Sequence, residues 1–243
     1  MKKTIKNVRL VVSATGYYIK WAAKFCENAF NLFGAEDGDN IYNYNITLIT
    51  DMSSPLYNKT KDKLIAVIDN YGKYRVGDIK VVSCPDFPWP VMTLYKPYLC
   101  QKYIEDGDDI VFCGNINIEM QPNNGKWYDG DKVNVSWHHK HPEPYFNSRP
   151  YYIQGGFICA RADIMRGFCR EWQSKINYCV NHKRSIPQWH DETVLNELFA
   201  ERRNQFNPHF ILCTDEAGRE AMDGQFALLN LDGKIDKSFK DNW

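Results

Sequence analysis

The sequence predicts an α/β fold with a Rossmann-like, mainly parallel central sheet and flanking helices. Two observations lead there. Apolar strand-like runs alternate with helix-spaced repeats in a βαβα opening, the pattern of a parallel sheet with crossover helices. The composition, 44% apolar and 25% charged over 243 residues, belongs to a globular chain with a substantial core, and the length suits one large domain over residues 1–243.

Residues 8–14 form a mainly apolar run, interrupted only by Arg9 and Ser13, that reads as the first strand, closed by Thr15-Gly16. Ile19, Ala22, Phe25, Cys26, Ala29, Phe30 and Phe33 then recur at helical spacing. Residues 45–51 read as a buried strand ending in the carboxylate of Asp51, and 61–71 as a helix stopped by Gly72. A third strand is expected at 78–83, then a helix at about 91–104 that Pro97 either kinks or starts late. The fourth strand, 109–113, runs directly into Gly114-Asn115-Ile116-Asn117. Those polar residues fall at the carboxyl end of a central strand, where open α/β sheets bind ligands. Residues 122–150 are rich in Gly, Asn, Pro, His and aromatics without periodicity, and are expected to form a loop-rich layer over the sheet edge. A strand at 151–160 carries Gly155-Gly156, helices follow at about 162–180 and 191–203, and a last strand at 210–213. Beyond Thr214 the chain is polar and weakly patterned, and no repeat or linker marks a second domain.

Charge and cysteine content narrow the function. Thirty basic residues against thirty acidic ones give no net charge, so the attraction that drives non-specific nucleic-acid or membrane-surface binding is missing. No apolar run approaches the roughly 18 to 20 residues that span a bilayer, and the Met1-Lys2-Lys3-Thr4 start leads into a strand without a signal-peptide core. A cytoplasmic protein, at most peripheral to a membrane, is expected. The eight cysteines form no C-x-x-C pair and mostly sit in apolar runs, which favours reduced, buried thiols over a disulfide framework. A dinucleotide-binding G-x-G-x-x-G, a P-loop and a G-x-S-x-G elbow are all absent, which argues against nicotinamide redox chemistry, ATP hydrolysis and an α/β-hydrolase triad.

Two clusters could carry chemistry. His138, His139 and His141 with Glu143 resemble metal ligands only loosely, because a Pro-rich loop lacks the helical face that H-E-x-x-H requires; one histidine touching substrate, or a solvated role, fits better. Asp191 and Glu192 open a helix. They read either as first-turn acids favoured by the helix dipole, or as a carboxylate beside a reacting anomeric carbon, whose oxocarbenium-like charge such a group stabilises or traps.

Five blocks, taken together, carry a resemblance: Val12-Ser13-Ala14-Thr15-Gly16-Tyr17-Tyr18-Ile19, Pro88-Trp89-Pro90-Val91-Met92-Thr93-Leu94, Phe112-Cys113-Gly114-Asn115-Ile116-Asn117, Tyr151-Tyr152-Ile153-Gln154-Gly155-Gly156-Phe157, and Gln188-Trp189-His190-Asp191-Glu192-Thr193-Val194-Leu195-Asn196. In order and spacing they resemble the family 6 glycosyltransferases, which include the blood-group A and B transferases, the α-1,3-galactosyltransferase and bacterial relatives. The resemblance covers roughly residues 8–200. Its most specific pieces are the Trp-His-Asp-Glu block and the aromatic-Gly-Gly strand.

The resemblance implies a GT-A fold and retaining transfer of N-acetylgalactosamine or galactose from a UDP-sugar to the 3-OH of a β-galactoside, fucosylated or not. It implies that Ser13, Ala14, Thr15 and Tyr18 hold uracil and ribose, with the Tyr18 ring available for stacking. Asn115, Ile116 and Asn117 occupy the family's Asp-x-Asp position, and Lys96 stands where mammalian members have an arginine near the donor sugar. Gln154, Gly155 and Gly156 would line the donor and acceptor pocket, and Trp189 would pack on the acceptor sugar. Asp191 would bond donor hydroxyls, Glu192 would be the catalytic carboxylate, and His141 would contact the acceptor.

The chain departs from the family in three ways. Asn115 and Asn117 offer neutral carbonyls where hard divalent cations want anionic oxygens, so transfer without a metal cofactor is expected. The segment between His141 and Tyr151 is shorter than in mammalian members. After about Pro208 the likeness fades, leaving Lys234, Lys237 and Lys240 as candidates by charge alone for closing over the diphosphate. Gly155-Gly156 by itself reads as close backbone packing; the resemblance implies instead that the pair faces the donor C2, where Gly156 leaves room for an acetamido group, and so a preference for UDP-GalNAc. Two other functions compete: a catalytically weak UDP-sugar or glycan-binding protein of the same fold, and a metal-dependent hydrolase built on His138 to His141.

Overall fold

The computed structural model describes residues 3–74, 77–85, 91–120, 127–138, 152–182, 191–213 and 228–230. Strand β1 (Thr4–Ala14) starts earlier than its apolar run, because exposed Thr4 and Ile5 extend the pairing with β3 at the sheet rim. It ends at Thr15-Gly16, where Gly16 takes φ 53°, a conformation that side chains disfavour. The helical spacing of residues 19–33 is realised as three short pieces: a 3-10 turn over Gly16–Trp21, α1 (Ala22–Asn28) and a 3-10 turn over Ala29–Leu32. The tighter turns align side chains three apart, as Phe30 and Phe33 need in order to reach the same core.

Strands β2 (Glu36–Asp37) and β3 (Asn40–Thr50) follow, then α2 (Pro55–Tyr74), which begins six residues before its expected start. Pro55 is preset for a first turn, and the Asp51 and Ser54 side chains bond amides of the approach, Ser53 N at 2.9 Å and Leu56 N at 3.2 Å. After β4 (Gly77–Ser83), the helix expected over 91–104 is split into α3 (Val91–Leu94) and α4 (Lys96–Tyr103); Pro97, in the first turn of α4, starts it rather than kinking it.

Strand β5 (Ile110–Asn115) turns at Ile116-Asn117 into β6 (Ile118–Met120). The loop-rich reading of residues 122–150 needs correction, because β7 (Val133–His138) runs through the interior and Trp127 stacks on Phe33 at 5.0 Å. The polar residues that masked the strand are satisfied inside: Asn134, fully buried, donates to the carbonyls of Asp129 at 3.0 Å and Cys159 at 3.1 Å. The chain continues as β8 (Tyr152–Arg161), α5 (Ala162–Asn181), α6 (Asp191–Glu201), β9 (Phe206–Cys213) and β10 (Leu228–Asn230). β9 starts four residues earlier than expected; its Pro208 faces Val135, where the register of β7 shifts and a missing amide is tolerated.

The sheet order is β2-β3-β1-β5-β8-β7-β9-β10-β6, with β4 also on β3. Strands β4, β3, β1 and β5 are parallel, and β8 joins them antiparallel. One face packs Leu10, Val12 and Phe112 against Phe25 of α1 and Leu64 of α2; the other packs Val111 and Val135 against Trp172 of α5 and Leu195 of α6. No helix among the described residues is long and apolar enough to cross a membrane. The seven described cysteines are free thiols, all but Cys84 buried. Burial pushes the Cys26 thiol up to about 12 and raises that of Cys159; contacts with the Cys113 and Cys169 thiols raise that of Cys100.

Candidate active site

From β1 the chain crosses outward to β3 and then β4 on one side, and returns to β5 on the other. The order therefore reverses between β1 and β5, and the crevice beyond their carboxyl ends is the ligand position of such sheets. Ser13 pairs with Asn115 there, Ala14 with Thr50, whose hydroxyl donates to the Ala14 carbonyl at 2.7 Å. Thr15 opens the 3-10 turn, its carbonyl accepting Tyr18 N at 3.1 Å, and the half-buried Tyr18 ring meets Tyr17 edge-on at 6.2 Å. Asn115 is half-buried, Ile116 and Asn117 are buried. A small cavity between the two strand ends is lined by Ser13, Lys96, Cys113 and Gly114.

Strand β8 outruns its neighbour at this point. Gly114 opposite Phe157 is the last pair between β5 and β8, so among the described residues no strand pairs with 152–156 on that side. Unpaired buried backbone groups are costly, and here side chains from two helices take the place of the missing strand. Asn196 Oδ1 accepts Ile153 N at 2.7 Å, and its amide nitrogen donates to Ile153 O at 2.8 Å. Glu192 Oε1 accepts Gly155 N at 3.0 Å, while Lys96 Nζ donates to Gly155 O at 3.0 Å and to Asp191 Oδ2 at 2.6 Å. Asp191 N donates to Thr93 Oγ1 at 3.2 Å, fastening the start of α6 to α3.

These groups are withdrawn from water: Asp191 is 3% exposed, Lys96 5% and Glu192 6%. Buried charges persist when paired and hydrogen-bonded, and Lys96 and Asp191 meet that condition with each other. The acids of α6 lie in its first turn, where the dipole favours them, yet their carboxylates are spent on Lys96 and on β8.

Glycine is required where the elements meet. A Cβ on Gly155 would lie 2.4 Å from Asp191 Oδ2 and 3.3 Å from the Glu192 side chain; one on Gly114 would lie 2.1 Å from the carbonyl oxygen of Gly156. For Gly155 the packing reading of the double glycine is thus the one that the geometry explains.

The structure gathers Lys96, Gly155, Asp191 and Glu192 into one constellation and places Ser13, Ala14, Thr15, Asn115, Ile116, Asn117 and Gly156 along the neighbouring strand ends. His139, His141, Glu143, Trp189, Lys234, Lys237 and Lys240 lie outside the described residues, as do the side chains of His138 and Gln154. Among the described residues no group of three or more His, Cys, Asp or Glu side chains is placed to hold a metal ion. A wider groove of about 500 Å³ between α5 and α6 carries none of the candidates, and its Lys175 and Arg202 are paired with Glu201 and Glu171. Sequence reasoning assigned no role to Thr93, Gly114 or Asn196. The four-residue spacing of Glu192 and Asn196, one face of a helix, is the signal that links the last of these to the site.

Comparison with models of known protein families and with curated protein sequences gives no match in either case.

Proposed function

We propose that the chain is a retaining glycosyltransferase of the GT-A fold, which moves N-acetylgalactosamine or galactose from a UDP-sugar to the 3-OH of a β-galactoside without a divalent metal. The observation that carries this reading is the Glu192 carboxylate, buried and held on Gly155 beside a neutral Lys96–Asp191 pair at the carboxyl edge of the sheet. Retention needs negative charge or a nucleophile on the face of the anomeric carbon opposite the leaving group, and a buried carboxylate oriented by Gly155 is the group that could supply it. The resemblance of the five sequence blocks to family 6 glycosyltransferases supplies the substrate class.

In this reading Ser13, Ala14, Thr15 and Tyr18 take the nucleoside, and the β5 end at Asn115, Ile116 and Asn117 faces the diphosphate. The sugar lies over Gly155 and Gly156 beside Gln154. Asp191 orients its hydroxyls, and His141 and Trp189 contact the acceptor. Donors from the segment after Pro208 balance the leaving diphosphate in place of a metal, while Lys96, whose charge answers Asp191, holds that carboxylate beside the donor sugar.

The test is product formation from UDP-GalNAc or UDP-Gal with β-galactosides, with and without α-1,2-fucose, in excess EDTA, with the linkage read by NMR. An α-1,3 product without added metal is expected, with UDP-GalNAc preferred by about tenfold. A requirement for Mn²⁺ would overturn the metal-free mechanism. A second reading, a UDP-sugar or glycan-binding protein of the same fold, draws on the fact that Glu192, Lys96 and Asn196 all serve the open edge of β8, a role that needs no turnover. Binding of UDP-sugar without transfer to any acceptor would favour it.

A further inference from the structure

We infer that Asn196 is a positioning residue, which aims the Glu192 carboxylate by locking α6 in register against the open edge of β8. The inference rests on the reading of Glu192 as the group at the reacting carbon.

Asn196 is 1% exposed and makes three bonds around the same junction: Oδ1 accepts Ile153 N at 2.7 Å, and the amide nitrogen donates to Ile153 O and to Glu192 O, both at 2.8 Å. It is therefore bonded to the strand on one side and, through the Glu192 carbonyl, to the backbone of the residue it serves. The spacing makes the lock specific. Four residues along a helix advance about 6 Å, and two residues along a strand advance about 6.6 Å. Asn196 on Ile153 and Glu192 on Gly155 are thus two rungs of a helix-to-strand ladder whose repeats nearly match. A slip of α6 by one residue turns its side chains by about 100° and takes the carboxylate off Gly155. Glu192 alone would not fix this, because three side-chain torsions let a glutamate follow a shifted helix, whereas the short amide of Asn196 reaches both Ile153 groups in one placement only. A misplacement of about 1 Å at the reacting centre can cost on the order of 100-fold in rate.

A buried asparagine that merely satisfies Ile153 would look the same in a stability measurement, so the experiment is a double-mutant cycle on turnover. Asn196→Asp keeps an acceptor for Ile153 N but loses the donor to Ile153 O and Glu192 O; Asn196→Ala loses all three bonds. Each is combined with Glu192→Gln in the full chain, and rates are measured well below the melting temperature of each variant. In the parent, Asn196→Asp is expected to lower kcat about tenfold or more, with KM for the UDP-sugar and UDP affinity held within about threefold. In the Glu192→Gln background the same change is expected to leave the residual turnover nearly unaltered, since Asn196 acts through a carboxylate that is no longer there. Should Asn196→Ala fail to fold, the Asp variant carries the cycle alone. Equal loss in both backgrounds, or turnover and UDP affinity falling together, overturns the positioning role and leaves the transferase reading intact. A parent protein that transfers sugar to no acceptor overturns that reading, and this inference with it.

Discussion

Replacing Glu192 by glutamine separates charge from architecture at this site. The carboxylate's Oε1 accepts Gly155 N at 3.0 Å on the open edge of β8, and in the proposed transfer it has a second duty, to face the developing positive charge of the transferred sugar. Glutamine has the same shape and can keep the first duty through its own carbonyl. What it loses there is the ionic part of one buried hydrogen bond, about 1 kcal/mol, which in a fold of this size lowers the melting temperature by about 2 to 4 °C. Alanine, in contrast, leaves the Gly155 amide without its acceptor and opens a cavity, together about 3 kcal/mol, or about 6 to 12 °C. The chemical duty is not covered by glutamine, and a loss of about 100-fold in kcat, equivalent to about 2.7 kcal/mol of transition-state stabilisation, is expected. The assay is initial rate against UDP-sugar concentration at saturating β-galactoside, with UDP affinity by titration calorimetry and a thermal melt on the same sample. Glutamine should show the rate loss with UDP binding unchanged within about threefold and a melt close to the parent. A glutamine variant that kept more than half of its turnover would refute the catalytic role and leave Glu192 as an edge-capping side chain.

Lys96→Met strips the buried Asp191 of its lysine and Gly155 O of a donor, and should destabilise by about 3 to 5 kcal/mol, a drop of roughly 10 °C in a thermal melt; Lys96→Met with Asp191→Leu should recover part of it, and a fully additive pair would show that the two do not interact. Gly114→Ala forces a methyl to within 2.1 Å of Gly156 O, so it should lower the melting temperature by about 10 °C or abolish soluble expression, while Gly107→Ala, whose methyl meets nothing, should be neutral. Stability should also fall as the solution is made alkaline. Cys26, Cys100 and Cys159 have thiols raised above the usual range, so the unfolded chain loses these protons first; their stabilising effect is complete below about pH 9 and fades above it. A denaturant midpoint that stayed flat from pH 9 to 11 would contradict the burial of these thiols.

The parallel half of the fold was legible because its strands are apolar runs with turns at both ends, and Val8 to Ala14 or Ile110 to Cys113 need no partner to be identified. Strand β7 was not, since a buried Asn134 is visible as an interior residue only once the carbonyls of Asp129, Lys132 and Cys159 surround it. The division of α3 from α4 was half legible: Pro97 signalled a start, but the tie from Asp191 to Thr93 that places α3 joins residues far apart in the chain. Within the site, Asp191 and Glu192 stood out as adjacent acids at a helix start, and Gly155-Gly156 as a double glycine in a strand. The resemblance put Lys96 and Asp191 near one donor sugar, but their direct bond, and that of Lys96 to Gly155, came only from the sheet order, which no local pattern in the sequence encodes.

That relation also explains why stability and chemistry would be hard to separate in this protein. Were β5 to run on beside β8, Ile153 and Gly155 would be paired by backbone, and Lys96, Glu192 and Asn196 would have no edge to serve. Because β5 instead turns away at Asn115, three polar side chains must be drawn into the interior to complete β8, and they arrive at the carboxyl ends of the strands, beside the crevice between β1 and β5. The fold's own need for hydrogen bonds thus delivers a desolvated and oriented carboxylate. Substitutions that relieve the open edge by apolar packing would therefore be expected to stabilise the chain and remove the group on which the proposed transfer would depend.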